Sequence, residues 1–157
     1  MWGKGVLDLI EKNIKELIEE LVKRSGSSAS VIIENHFPDH RMVGGKYNSN
    51  NHTVTIYLEE IREQCQQVFL TDDFFLDYVA VVLAHELGHA EDSELEFLSN
   101  KLYKETNEIE KKKIALKIEE NAWEFAEKLI PEMDQAFMKT IIYFALKSYR
   151  EELQPVG

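Results

Sequence analysis

The hydrophobic positions fall into two kinds of period. In residues 5–24, GVLDLIEKNIKELIEELVKR, Leu7, Ile10, Ile14, Leu17, Ile18 and Leu21 recur every three or four residues, which predicts a helix with one apolar stripe over about 1–25. After SGSS the period shortens. ASVIIENHF is β-branched and brief, and in HTVTIYL the residues Val54, Ile56 and Leu58 alternate with Thr53, Thr55 and Tyr57, the signature of a half-buried strand. Gly, Asn and Ser punctuate the interval between them, so a small antiparallel sheet is expected between about 30 and 58.

From residue 59 onward the period is helical almost to the end. LEEIREQCQQVF reads as a short amphipathic helix. Thr71, Asp72 and Asp73 stand where a helix cap and first turn belong, opening a helix over 72–91. Its segment FLDYVAVVLA is apolar nearly all round, as in a helix covered on most sides. Further helices are expected at 108–130 and at 131–152, the last with Pro131 in its first turn, where the missing N–H costs nothing. The expectation is one α+β domain over 1–157, mostly helical, with a small antiparallel sheet ahead of the central helix.

Composition narrows the function classes. The 157 residues carry 29 acidic and 18 basic side chains, a formal net charge of -11, spread along the helices. Such a field repels phosphate backbones and anionic surfaces, so neither a nucleic acid nor a membrane is an expected partner. No apolar run is long enough for a membrane span. The single cysteine, Cys65, has no internal partner and reads as a small buried apolar residue, and MWGKGVLDLIEKN carries charges where a signal peptide needs an unbroken apolar stretch. A reducing, cytoplasmic location is the expectation.

The chemistry concentrates in VLAHELGHAEDSE, residues 82–94. His85 and His89, at i and i+4, share one helix face and can aim imidazole nitrogens at one point, which suits a single Zn²⁺. Glu86 lies one step round from His85, placed to act on a water as general base rather than as a ligand. Zinc would lower the pKa of that water and polarise a scissile carbonyl. Gly88 is unfavourable here by about 1 kcal/mol relative to Ala and implies close approach of a second backbone. A third protein ligand is needed. The pattern with a histidine six residues after His89 is excluded, because position 95 is Leu95. In IEENAWEFAEKLIP, Glu119 and Glu120 both qualify: Glu119 lies three residues before Ala122, small enough for that helix to pack against Gly88, and Glu120 shares a face with Glu124. Asp92, Glu94 and Glu96 are too near in sequence to fold back and are expected to line the helix exit.

These pieces resemble the ImmA/IrrE family of zinc metallopeptidases, found with bacterial repressors, mobile elements and phages. The family joins H-E-x-x-H to a later helix of the form E-x-x-A-x-x-F-A-x-x-L, here His85, Glu86 and His89, then Glu119, Ala122, Phe125, Ala126 and Leu129, with Pro131 displaced by one. GGKY followed by TVTIYL is similar to the sheet before the catalytic helix. The resemblance spans about 42–131 and departs at Trp123, where related sequences often have Asn or Asp. It implies a zincin-like fold, one zinc per chain on His85, His89 and Glu119, Glu86 as general base, and hydrolysis of one or a few peptide bonds in a protein substrate. An edge strand would then hold the extended peptide, with HTVTIYL as the expected strand. Tyr47, His52, Tyr57, Tyr143 and Tyr149 are open candidates for stabilising an oxyanion. The competing expectation is a non-catalytic, metal-bearing interaction module of phage or mobile-element origin, which has no need of Glu86.

Overall fold

The computed structural model describes residues 3–38 and 44–153. Among them, six helices and three strands run in the order α1 (Lys4–Ser25), β1 (Ser30–Glu34), β2 (Gly45–Asn48), β3 (Thr53–Tyr57), α2 (Leu58–Phe69), α3 (Phe75–Ala90), α4 (Leu95–Lys104), α5 (Glu108–Leu129) and α6 (Gln135–Glu151). The architecture is mostly helical with one small sheet, as the α+β expectation required. No helix among the described residues is long and apolar enough to cross a membrane.

α3 is the centre of the molecule. From Phe75 to Gly88 nearly every residue is buried, because α1, α2, α5 and the sheet each cover a different side of it. That explains a sequence apolar on all faces. α1 uses the predicted stripe only from Ile10 onward: Ile14 and Leu21 are buried, whereas Leu7 lies on a stretch that projects past the core and is 47% exposed. The helix stops at Gly26, whose φ of 70° is open to glycine without strain and lets its N–H reach the Lys23 carbonyl. Cys65 is fully buried, its Sγ on the Thr71 carbonyl.

The sheet departs from expectation in being mixed. Its order is β1-β3-β2, with β2 antiparallel and β1 parallel to β3. Alternation reports which face of a strand is buried, but not which strand lies beside it. β1 pairs with one side of β3 and the β2–β3 hairpin takes the other, so β3 lies in the middle, with Val54 and Ile56 fully buried. HTVTIYL is therefore not an edge. Both of its edges are taken, and the expected docking strand is corrected: the edge next to α3 is β2.

Two helix starts also differ. Thr71–Asp73 do not cap α3; the Thr71 hydroxyl accepts from the Asp73 N–H and the Asp72 carbonyl from the Phe75 N–H, folding these residues into their own turn, and α3 begins at Phe75. Pro131 does not open α6 either. It lies in a turn after α5, and Asp134 is the cap, its Oδ1 accepting from the Phe137 N–H at 2.9 Å.

Candidate metal centre

The last two turns of α3 and the middle of α5 cross at Gly88 and Ala122. A Cβ built on Gly88 would stand 2.5 Å from the Ala122 carbonyl oxygen and 2.9 Å from its Cα, closer than real atoms approach. Glycine is required by that crossing, and the fully buried Ala122 is its counterpart. One turn before Ala122, Glu119 is thereby set opposite the two histidines.

The geometry is convergent. Glu119 Oε1 lies 3.1 Å from His85 Nε2, and its Oε2 lies 3.2 Å from His89 Nε2. One atom from each of the three residues falls within 4.8 Å of the others. The three side chains are 13%, 11% and 21% exposed, deep enough to be largely dry yet reachable from one side. Ligands at roughly 2.0–2.1 Å from a tetrahedral ion stand about 3.4 Å apart, so this set fits a divalent ion with little movement. Two imidazoles and one carboxylate are also the donor chemistry that suits zinc. Glu120 is exposed, as is Glu124, which pairs with Lys128. Asp92 and Glu94 accept from the Asn121 side chain at 3.3 and 3.1 Å, past the end of α3 as expected. The only grouping of potential metal ligands among the described residues is His85, His89 and Glu119.

Glu86 is buried beside this group without joining it, its Oε2 3.1 Å from His85 Nδ1. Gly45, the first residue of β2, lies directly on it: a Cβ there would meet Glu86 Cγ at 2.8 Å and Val82 Cγ1 at 2.9 Å. Burial alone would lower the His85 pKa, but the Glu86 charge and the hydrogen bonds to Glu119 and Glu86 outweigh it and raise the group to about 9. Glu119 shows the converse. Burial disfavours its charge, yet hydrogen bonds from both imidazoles hold its carboxyl far below the usual carboxylate range.

Trp123, where the family resemblance departs, packs its ring on His85 with centroids 4.2 Å apart and planes 20° from parallel. Stacking holds the imidazole plane of His85 against the indole. Trp123 Nε1 and His89 Nδ1 are both buried without a partner. Neither this stacking nor the role of Gly45 was read from the sequence; the glycine pair in GGKY was its one available signal.

The site opens into a cleft of about 690 Å³. Tyr78, Val82, His85, Glu86 and His89 form its floor along α3, alternate residues of β2 (Gly45, Tyr47) form one border, and Ile141, Ala145 and Tyr149 bring α6 to another. Of the five oxyanion candidates only Tyr47 and Tyr149 line it. Tyr57 is buried against Phe37, Tyr143 is 55% exposed on the outside, and His52 lies behind Tyr47, hydrogen-bonded to its hydroxyl at 2.8 Å and to Ser28 Oγ at 3.1 Å. Comparison with known proteins adds no family to this geometry: no family profile, no curated protein and no solved structure matches the chain.

Proposed function

We propose that the chain is a zinc-dependent endopeptidase of narrow specificity, of the kind the HELGH motif and the later Glu119 helix resemble. The observation that carries this reading is the meeting of His85 Nε2, His89 Nε2 and the Glu119 carboxylate, with the buried Glu86 carboxylate beside them at the floor of an open cleft. His85, His89 and Glu119 would hold one Zn²⁺. When bound, that ion lowers the pKa of a water and polarises a carbonyl. Glu86 does the proton work: it takes the proton as the water oxygen adds to the carbonyl carbon, then delivers it to the amine nitrogen as the C–N bond breaks.

The exposed edge of β2 supports a peptide substrate. Among the described residues β2 pairs with β3 on one side only, which leaves its outer N–H and C=O groups to pair with an extended chain running over the cleft. Beside the metal site, Tyr78 and Val82, one to two helical turns along α3, and Ile141 of α6 offer an apolar surface suited to a substrate's aliphatic or aromatic side chain. The competing interaction-module reading would gain from a closed site with one of Asp92, Glu94, Glu96 or Glu120 as a fourth ligand. Among the described residues, however, only His85, His89 and Glu119 group together: Asp92 and Glu94 accept from Asn121, and Glu96 and Glu120 are exposed.

The test is elemental analysis and peptide hydrolysis on one set of variants. One zinc per chain is expected in the wild type, in Glu120→Ala and in Glu86→Gln, and none in His85→Ala or Glu119→Ala. Glu86→Gln should lose cleavage while keeping the metal. Full activity in that variant would sink the mechanism, and an absence of metal in the wild type would sink the site.

A further inference from the structure

A peptidase needs, besides a base, a donor for the carbonyl oxygen as it gains charge in the transition state. We propose that the Tyr149 hydroxyl, on α6 at the border of the cleft, is this donor and so a catalytic residue of the chain. The assignment rests on the peptidase reading above and adds to it a group from an element outside the two motifs.

The argument is partly one of position. β2 packs on α3 and lies over Glu86, whereas α6 packs on α5, the helix that carries Glu119. A substrate carbon held above the floor therefore has the base towards β2 and α6 towards Glu119. The carbonyl oxygen, roughly perpendicular to the line of attack, can then face the α6 border of the cleft. Tyr149 completes a row with Ile141 and Ala145 at successive turns of α6, all of which border the cleft. The charges that act on its phenol are those of Glu119 and Glu86, two of the four residues of the site, and of Glu152. Burial and then the Glu119 charge push the phenol above its ordinary value, which keeps its proton available for donation.

Among the tyrosine, histidine and tryptophan donors it is also one of elimination. The Tyr149 hydroxyl has no hydrogen-bond partner among the described residues and is not sealed from solvent. The Tyr47 hydroxyl is held by His52. Tyr57 and His52 do not reach the cleft, Tyr143 faces outward, and the Trp123 N–H is wholly shielded, so a substrate oxygen cannot approach it.

Tyr149→Phe removes the donor and keeps the ring. Zinc-loaded wild type, Tyr149→Phe and Tyr143→Phe are compared for hydrolysis of a peptide mixture, zinc content, and calorimetric binding of a leucyl phosphinic dipeptide, whose tetrahedral PO₂⁻ copies the charge and shape of the reacting carbon. Tyr149→Phe should keep one zinc and its fold, lose about 10²-fold in kcat with KM nearly unchanged, and bind the phosphinic probe at least tenfold more weakly. Tyr143→Phe should match the wild type throughout. Equal turnover and equal probe binding in Tyr149→Phe, from an active wild type, would overturn the assignment alone; loss of zinc or of the fold would make the residue structural and overturn it too. A wild type that holds zinc but neither cleaves peptides nor binds the probe would overturn the peptidase reading, and the role of Tyr149 with it.

Discussion

Replacing Gly88 by alanine adds one methyl group at the point where the helices carrying His85, His89 and Glu119 cross. That Cβ would sit 2.5 Å from the Ala122 oxygen and 2.9 Å from its Cα, against about 3.4 Å for an ordinary contact, so the backbones must part by roughly 0.9 Å (3.4 − 2.5). Both obstructing atoms belong to the main chain of α5 and cannot rotate aside. Overpacking of this kind costs about 1–3 kcal/mol, while alanine in place of a helical glycine returns about 1; the net loss is then about 0–2 kcal/mol, at most about 8 °C in Tm for a chain of this size. The proposed metal site is far less tolerant. Ligand distances must hold within about 0.2 Å, and Glu119 is one turn from the displaced Ala122. Zinc affinity, measured by competition with a chromophoric chelator, is expected to fall at least tenfold in a variant that remains folded by calorimetry and circular dichroism. Adding Ala122→Gly should not restore it, because the clash is with backbone. Wild-type affinity in Gly88→Ala would show that the close crossing does not position Glu119.

The second glycine of the site lies on Glu86, the proposed base, instead. Gly45→Ala presses on Glu86 Cγ and Val82 Cγ1, both side-chain atoms that can yield, so zinc content should stay at one per chain while kcat falls about tenfold or more, as misplacement of a reacting group predicts; unchanged kcat would release Gly45 from that role. The metal-free protein should also have a distinctive pH profile. Because the folded His85 pKa of about 9 exceeds its ordinary 6.5, its stabilisation is fully present below pH 6.5 and is lost as pH rises through 9, a decline of about 3 kcal/mol for 2.5 units. Denaturant unfolding of chelator-treated protein would measure it. The zinc-loaded protein should not share the decline, since a metal binds the neutral imidazole, and a flat metal-free profile would refute the proton-held cluster.

What could be read from the chain, and what could not, divides along a physical line. His85, Glu86 and His89 were legible because a helix fixes the angles between near neighbours. The paired smallness of Gly88 and Ala122 was legible because a glycine inside an apolar helix is costly unless something approaches it. Strand order was not, since the alternation of Val54 and Ile56 is the same beside any neighbour. The starts of α3 and α6 were misplaced, at Thr71 because its side-chain oxygen serves a local turn instead, and at Pro131 because a proline's fixed φ suits a turn as well as a first helical position, the cap being Asp134. Glu119 could not be separated from Glu120 by spacing, because adjacent residues differ only in a rotation that the packing of the helix decides; with Ala122 seated on Gly88, that rotation turns Glu119 inward and leaves Glu120 exposed. The distances between elements are thus set by Gly45, Gly88 and Ala122, which carry almost no side chain. Groups that perform chemistry can be found by their type, but the precision with which they meet is encoded at positions where chemistry is absent, and substitutions there should damage the site more than the fold.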